Sequence, residues 1–199
     1  MKRFLVICLL FTSVLGAEDF LTLYRRGHEA MVRKEYKKAV SLFTESLESM
    51  KKKYHYIVYN DRGIAYRRLK MPGKAMSDFL KAIRLQPRFS PPYSNMGTLY
   101  IDRKEYNEAM ELFKQAYEYD PRNFIPLYNI ACVHSLEKRK PEAVRYLEKT
   151  VNLLVSQGRS LQRLYQMIIA DSDFNNIRSY PPFEKLMMKM KKSLKMQQI

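Results

Sequence analysis

Apolar and small residues recur along this chain with a period of 34 residues. Gly97 follows Gly63 by 34 positions, and Ala131 follows Gly97 by the same interval. Each copy contains two stretches of about 12 to 14 residues with helical apolar periodicity, joined by a polar turn. This pattern predicts a helical hairpin. One hairpin cannot bury its own apolar face, so the copies have to pack against one another.

Four copies of the pattern can be aligned between Phe20 and Gln157. The first copy lies 36 residues before the second, because two residues are inserted near Tyr54 and His55. The fourth copy has Val155 where the second and third copies have a proline. The second copy carries Tyr59, Gly63, Tyr66, Ala75, Phe79, Ala82 and Pro87, and the third carries Tyr93, Met96, Gly97, Tyr100, Ala109, Phe113, Ala116 and Pro121.

These residues resemble the tetratricopeptide repeat. The third copy fills eight positions of that family's pattern in order, and the second copy fills seven. The resemblance covers two thirds of the chain. It implies an all-α fold, a right-handed α-solenoid of about four helical hairpins followed by C-terminal capping helices. It places the repeat array at residues 20–157, with copies at about 20–53, 56–89, 90–123 and 124–157.

The recurring glycines have a physical reading that does not depend on the family. Gly63 and Gly97 are predicted to lie in the middle of helices, where glycine costs about 1 kcal/mol relative to alanine. A glycine that recurs at such a place indicates a close approach of another helix. Phe79 and Phe113 are predicted to fill the space between the helices.

Residues 158–199 are predicted to form capping helices and a basic tail. A helix with apolar periodicity is expected at 160–170, and Asp173 is expected to cap a short turn after it. The last helix, from 182 to about 196, has apolar residues on one face and lysines on the other. We favour a capping role for this helix over a position on a membrane surface.

Residues 1–17 have the pattern of a secretory signal peptide, in which two basic residues precede an uncharged run that ends in small residues. The run is shorter than the roughly 20 residues that span a bilayer as a helix, so cleavage is favoured over retention as an anchor. Cleavage after Gly16 is slightly preferred over cleavage after Ala17. Cys8 is not expected to be lipidated, because Ile7 before it is not a small residue. The predicted location is therefore exported, and either periplasmic or associated with the cell envelope.

The sequence contains no pattern for catalysis, cofactor binding or metal binding. Only six glycines are present, and there is no phosphate-binding loop, nucleophile elbow or zinc signature. Cys132 and His134 are two residues apart on a predicted helix and point to different faces, so they cannot share a metal. Asp171 and Asp173 are interpreted as turn and cap groups rather than as an acid pair. The chain is therefore predicted to have no cofactor and not to be an enzyme.

Cys132 is the one thiol that remains once the signal peptide is removed. No disulfide can then form within the chain. Two alternatives stay open: a half-buried, inert thiol on a helix, or an exposed thiol that pairs with another chain.

In the tetratricopeptide family, the first helix of each repeat lines a concave surface that binds extended segments of partner proteins. By this resemblance we expect a partner-binding groove along the first helices of this chain. Asn95 and Asn129 occupy equivalent places and resemble amides that hold a peptide backbone, since an amide offers a donor and an acceptor. The alternative is that they only solvate the groove. The residues predicted to line it are Tyr24, His28, Asn60, Ile64, Arg67, Ser94, Asn95, Thr98, Tyr128, Asn129 and Cys132.

The family's clamp for chaperone tails is not reproduced here. That clamp needs Lys and Asn at set places in three repeats. Arg25 and Asp61 stand in the first two copies where the later copies have Asn. The resemblance therefore implies peptide binding without implying a chaperone as the partner.

The chain is strongly basic, with 36 Lys and Arg against 20 Asp and Glu and a net charge of +16. Basic residues concentrate in the first two copies and after residue 157, whereas the third copy is acidic. This distribution favours an acidic partner segment, with Arg67 among the charge contacts. Arg62 is expected to pack its stem and extend its head into water. Nucleic acid is not expected as a partner, because no recognition motif is present.

Together these observations predict a monomeric, non-catalytic protein–protein interaction scaffold of the bacterial cell envelope. The scaffold would bind an extended, acidic segment of a partner protein. The alternative is peripheral binding to anionic envelope lipid or polymer through the basic ends of the chain. An enzyme with a composite site is the least favoured, because nothing in the sequence activates a nucleophile.

Overall fold

The computed structural model describes residues 20–49 and 54–196, and every regular element within these ranges is helical. The chain divides into two compact units, the first ending at Pro87 and the second beginning at Arg88. The predicted signal peptide and the end of the first predicted repeat lie outside the described residues. The first unit contains α1 (Phe20–Val32), α2 (Tyr36–Ser49), α3 (His55–Arg68) and α4 (Pro72–Leu85). The second unit contains α5 (Ser90–Asp102), α6 (Tyr106–Tyr119), α7 (Ile125–Leu136), α8 (Lys140–Ser156), α9 (Gln162–Ala170), a 3-10 helix (Ser172–Ile177) and α10 (Pro181–Met196).

Consecutive helices pair into hairpins. In the first unit α1 packs on α2 and α3 packs on α4, and α2 also packs on α3. In the second unit α5 packs on α6, α7 packs on α8, and α6 packs on α7. Within each unit a hairpin therefore shares its apolar face with the next hairpin, as helical repeats require. The predicted all-α fold of consecutive hairpins is confirmed.

In three hairpins a glycine of the first helix makes room for a phenylalanine of the second helix. A Cβ atom on Gly97 would lie 2.5 Å from Cε1 of Phe113, which is fully buried. The fourth hairpin has Ala131 in place of the glycine and the smaller Leu147 in place of the phenylalanine, and both are fully buried. Where the first helix has the larger alanine instead of glycine, the facing residue of the second helix is the smaller leucine instead of phenylalanine. The total volume of the pair is therefore nearly kept. The same close contact joins Gly27 to Phe43 and Gly63 to Phe79.

Replacing Gly97 by Ala is expected to lower the free energy of unfolding by about 1 to 2 kcal/mol, because overpacking against the Phe113 ring outweighs the better helix propensity of alanine. Adding Phe113→Leu reproduces the pair of the fourth hairpin and should recover much of the loss. Urea unfolding followed by circular dichroism measures both variants. Gly73→Ala is the control, since a Cβ there meets no atom within 4 Å. Equal destabilisation by the two alanines would contradict this account of helix spacing.

The turn inside each hairpin contains a lysine in the left-handed backbone region, where glycine is the usual residue. In the third hairpin the backbone N–H of Lys104 donates to the carbonyl of Ile101, and that of Glu105 donates to the carbonyl of Tyr100. These two bonds form a Schellman motif that ends α5. The four lysines are Lys34, Lys70, Lys104 and Lys138, with φ angles between 59° and 62°.

A buried ion pair joins three helices of the first unit. The Arg62 guanidinium on α3 donates to both carboxylate oxygens of Asp78 on α4, at 2.7 and 3.0 Å. It also donates to the Thr44 hydroxyl on α2 at 3.0 Å. The side chains of Arg62 and Asp78 are 12% and 3% exposed. The prediction that the Arg62 head extends into water is therefore wrong, because the buried carboxylate of Asp78 is within its reach.

The segment after the fourth hairpin is part of the core of the second unit. α8 runs on to Ser156, since no proline ends it as in the second and third copies. Phe183, Leu186 and Met190 of α10 are buried in one cluster with side chains of α7 and α8. The apolar face of α10 is thus covered by protein. None of the helices in the described ranges is long and apolar enough to cross a bilayer.

Asp171 is the residue that caps the 3-10 helix. Its Oδ1 accepts the backbone N–H of Asp173 at 3.0 Å. The prediction that Asp173 is the N-cap is therefore wrong by two residues, because the helix begins earlier than the sequence pattern indicates. The other carboxylate oxygen of Asp171 faces α7, where it accepts a hydrogen bond from the Tyr128 hydroxyl.

Candidate functional site

In the first unit, predicted groove residues of α1 and α3 meet around one carboxylate. Asp61 Oδ2 accepts a hydrogen bond from the Tyr24 hydroxyl at 2.6 Å and lies 3.1 Å from His28 Nε2. Asp61 Oδ1 accepts a hydrogen bond from the Asn60 amide at 3.1 Å. The Asp61 side chain is 14% exposed. Its negative charge is therefore used mainly to hold α1 against α3.

The surroundings of this cluster raise the pKa values of both Tyr24 and His28. Burial and the hydrogen bond to Asp61 raise the pKa of Tyr24, so its hydroxyl stays neutral. The hydrogen bond to Asp61 raises the pKa of His28, although partial burial of the ring acts in the opposite direction. The His28 side chain is 49% exposed, which leaves one edge of the ring open to a partner. Asn60 is only 4% exposed, so its predicted place on an open groove wall is wrong.

An apolar depression of about 450 Å³ lies beside this cluster, between the starts of α1 and α3. Two of its residues are well exposed, Leu21 at 66% and Tyr54 at 45%. Farther along α3, Ile64 and Arg67 are half-buried. Such a depression can accept an apolar side chain of a bound segment. It is lined by Phe20, Leu21, Tyr24, Tyr54 and Ile57.

In the second unit, the first helices α5 and α7 contact each other. Asn95 on α5 and Asn129 on α7 are both half-buried and occupy equivalent places in their hairpins. The Thr98 hydroxyl donates to the carbonyl of Asn95 at 2.7 Å, so it is turned back onto its own helix. Ser94 is only 6% exposed, so its predicted place on an open groove wall is wrong. Of these predicted groove residues, the two Asn and Thr98 keep surface that a partner can reach.

Tyr128 and Cys132 of α7 are covered by the segment that follows α9. They are 5% and 3% exposed. The Tyr128 hydroxyl donates to Asp171 Oδ2 at 2.6 Å, and the Phe174 ring packs edge-on against Tyr128 with 5.5 Å between centroids. The prediction that Tyr128 and Cys132 line an open groove is therefore wrong. That part of α7 is covered by residues 171–177, which we call the cap. Of the two alternatives for Cys132, the structure favours the inert thiol, although the side chain is buried rather than half-buried.

The Cys132 sulfur and the carboxylates of Asp171 and Asp173 lie within 4.8 Å of one another. Burial, with a further contribution from both carboxylates, raises the pKa of Cys132 well above its usual value. The sulfur is thus held as a neutral thiol, 3.7 Å from Asp171 Oδ2. Burial and the charge of Asp171 raise the pKa of Asp173. We interpret this group as a hydrogen-bond network that fixes the cap to α7, because Asp171 accepts hydrogen bonds from both Tyr128 and Cys132 of that helix.

The roles of Asp61 and Asp171 do not follow from the repeat pattern. Each carboxylate accepts a 2.6 Å hydrogen bond from a tyrosine hydroxyl, and the two tyrosines, Tyr24 and Tyr128, are equivalent residues of the first and fourth hairpins. A signal for Asp61 was present, because it stands where later copies have Asn. Asp171 has no counterpart within the repeats, since it lies beyond the array.

Comparisons with known proteins agree with this fold. Two family models described as tetratricopeptide repeat match residues 56–89 and 91–123. The heat shock protein STI1 of Saccharomyces cerevisiae is 27% identical over 116 residues, which is 58% of this chain. The Hsp70-Hsp90 organizing protein of Triticum aestivum is 30% identical over 114 residues, or 57% of this chain. The chain spans 20% and 19% of those two proteins, so it corresponds to about a fifth of their length.

Two solved structures have a similar fold of helical hairpins. MamA superposes with a TM-score of 0.59 over 74% of this chain and 86% of its own, at 19% identity. The first tetratricopeptide domain of Spaghetti (RPAP3), bound to the HSP90 peptide SRMEEVD, superposes with a TM-score of 0.52 over 59% of this chain and 92% of its own, at 23% identity. At these identities the likeness shows the fold alone.

Proposed function

Because the chain contains tetratricopeptide repeats, we propose that it is a non-catalytic scaffold that binds an extended segment of a partner protein. Within each unit, the binding surface is formed by the first helices of its own hairpins. In the first unit it consists of the apolar depression and the open edge of His28. In the second unit it consists of Asn95, Thr98 and Asn129.

The observation that carries this proposal is the depression beside the Asp61 cluster. An exposed apolar surface with Leu21 and Tyr54 at its rim gives an apolar side chain of a partner a place to be buried. In the second unit, the amides of Asn95 and Asn129 offer donors and acceptors to a peptide backbone. Apolar pockets and backbone hydrogen bonds are each general ways to hold an extended segment, so each unit offers its own contact.

The proteins of similar fold support an acidic segment as the partner. The Spaghetti domain binds the HSP90 peptide SRMEEVD, and the second tetratricopeptide domain of human RPAP3 binds the HSP70 peptide SGPTIEEVD. The +16 charge of this chain favours negatively charged ligands, such as those acidic peptides. We place Arg67 among the charge contacts. A chaperone tail is not our proposal, because Arg25 and Asp61 replace two of the Asn residues that the family's clamp needs.

The cellular setting is also part of the proposal. The signal-peptide pattern of residues 1–17, which lie outside the described residues, supports export. We place the exported chain in the bacterial cell envelope as part of this proposal. A monomer is proposed as the working form. The absence of a catalytic role is supported by the sequence, which holds no nucleophile elbow or phosphate-binding loop.

Short peptides selected from a random library on the full chain provide the probe for this proposal. Replacing Asn95 and Asn129 together by Ala is expected to weaken binding roughly ten-fold or more, since each lost hydrogen bond contributes about 1 kcal/mol. Leu21→Ser should weaken binding by a similar factor through loss of apolar contact. Fluorescence anisotropy measures the affinities, and circular dichroism should show unchanged helicity.

Asn107→Ala together with Asn152→Ala is the matched control, because both residues are exposed on second helices of the same unit. This double variant should bind the peptides as the parent chain does. If neither the Asn95 and Asn129 variant nor Leu21→Ser changes the affinity, the first helices are not the binding surface and the proposal fails.

A further inference from the structure

The edge of the first unit at which both hairpins turn is strongly basic. The two turns are neighbours, because Leu69 of the second turn lines a shallow depression together with residues 34–38 of the first. All seven basic residues at these turns are exposed to solvent. We call this surface the basic edge. It consists of Arg33, Lys34, Lys37, Lys38, Arg68, Lys70 and Lys74.

Little of the charge on the basic edge is neutralised by the protein itself. Glu35 is the acidic residue between the basic residues of the first turn, and its carboxylate pairs with Lys38 at 3.3 Å. Lys34, Lys37 and Lys70 form no ion pair with any other residue in the described ranges. These three ammonium groups are therefore available to an external anion.

The corresponding turns of the second unit differ in this respect. Arg139 in the turn of the fourth hairpin lies 3.7 Å from Glu137 and 3.8 Å from Glu142. The turn at 102–105 contains two acidic and two basic residues. A turn of this hairpin architecture can thus contain acidic residues that offset its basic ones. The positive charge of the basic edge is therefore not required by the fold.

Two apolar residues that are next to members of the basic edge along the chain are exposed. Val32, the last residue of α1, is 84% exposed, and Met71, just before α4, is 39% exposed. Five of the seven cations around them are lysines, which act as point charges and lack the planar fork that grips a single phosphate or carboxylate. Lysines around exposed apolar side chains suit a diffuse anionic surface with an apolar layer beneath it.

We propose that the basic edge binds the surface of an anionic lipid bilayer, with Val32 and Met71 entering the headgroup region. This surface is distinct from the peptide-binding first helices. It also replaces α10 as the membrane contact, because the apolar face of α10 is buried in the core. A nucleic acid could pair with the lysines, but it has no apolar layer in which the Val32 side chain could be buried. The carboxylates of an acidic protein would be held better by arginines.

The test uses the full chain and a pair of charge-matched variants. The edge variant carries Lys34→Gln, Lys37→Gln and Lys70→Gln, and the control variant carries the same changes at Lys104, Lys138 and Lys140. Each variant loses three positive charges, and each loses two lysines with left-handed backbone. Residues 1–19 are identical in both, so any contribution of that segment to lipid binding cancels in the comparison. Binding is measured by sedimentation with vesicles of phosphatidylcholine, with and without phosphatidylserine, at two salt concentrations.

The edge variant is expected to bind phosphatidylserine vesicles roughly 100-fold more weakly than the parent chain, since each lysine near such a surface contributes about a factor of five. The control variant should lose much less. High salt should remove the difference between the edge variant and the parent. Val32→Ser should weaken binding to anionic vesicles without changing its salt dependence.

Equal losses for the two variants would show that net charge alone is responsible, and the proposal would be overturned. Unchanged vesicle binding by the edge variant would also overturn it. If the parent chain binds a DNA duplex or polyglutamate through these lysines but does not bind the vesicles, the partner is a polyanion and the membrane assignment is wrong. Peptide binding by the first helices is measured separately and does not depend on these results.

Discussion

Replacing Asp78 by Ala is expected to lower the free energy of unfolding by about 3 to 5 kcal/mol, because it leaves the Arg62 guanidinium buried without its carboxylate partner. The pair is bidentate, and the two side chains are 12% and 3% exposed. Arg62 also donates to Thr44, so the change should loosen the packing of α2, α3 and α4 together. Urea unfolding followed by circular dichroism gives the size of the loss.

A variant that removes both charges distinguishes two contributions to the free energy of unfolding: the cost of leaving Arg62 buried without a partner, and the net stabilisation by the ion pair. Replacing Arg62 by Met and Asp78 by Leu should cost clearly less than Asp78→Ala, since apolar residues of similar volume often substitute for a buried ion pair. Lys81→Ala is a surface control, because its ammonium lies 3.7 Å from Asp78 but its side chain is 41% exposed. If Asp78→Ala costs no more than Lys81→Ala, the ion pair does not stabilise the first unit.

Replacing Phe174 by Ala is expected to cost about 3 to 5 kcal/mol through the cavity that it leaves in the second unit. Phe174 is fully buried, and its ring centroid lies 5.5 Å from that of Tyr128 and 6.3 Å from that of Phe183. The variant should also expose Cys132, because the covering segment is then held less tightly. Thiol labelling in a Cys8→Ser background, in which Cys132 is the only thiol, should become faster.

Met188→Ala provides the control for this experiment. Met188 is on α10 and is 65% exposed, so its removal should change stability by no more than about 0.5 kcal/mol. Cys132 in the Met188→Ala variant should be labelled as slowly as in the parent chain. Labelling of Cys132 that stays slow in the Phe174 variant would mean that the thiol is protected by something other than the cap.

The cap limits the surface on which the second unit can bind a partner. Tyr128 and Cys132 are used to hold Asp171, so the open part of the first helices is the surface around Asn95 and Asn129. Phe174 and Ile177 are fully buried, which makes this segment an integral part of the core. A peptide that binds the second unit should therefore contact α5 and the start of α7 without displacing the cap.

The hairpins, their order and the close helix approach at Gly97 follow from the sequence alone. These features recur at a fixed interval, and each depends on contacts within one repeat or with its neighbour. The exchange of Gly and Phe for Ala131 and Leu147 in the fourth hairpin is visible in the sequence for the same reason.

The tertiary structure alone decided which of the predicted groove residues stay open. Cys132 is buried because a segment beyond the repeats folds back onto α7, and no periodicity inside the array encodes that contact. The Arg62 head is buried because Asp78, 16 residues away on another helix, is close enough to pair with it. The charge of the basic edge likewise depends on two turns coming together. Burial and pairing of polar groups depend on what covers them, and that is settled only when separate helices pack.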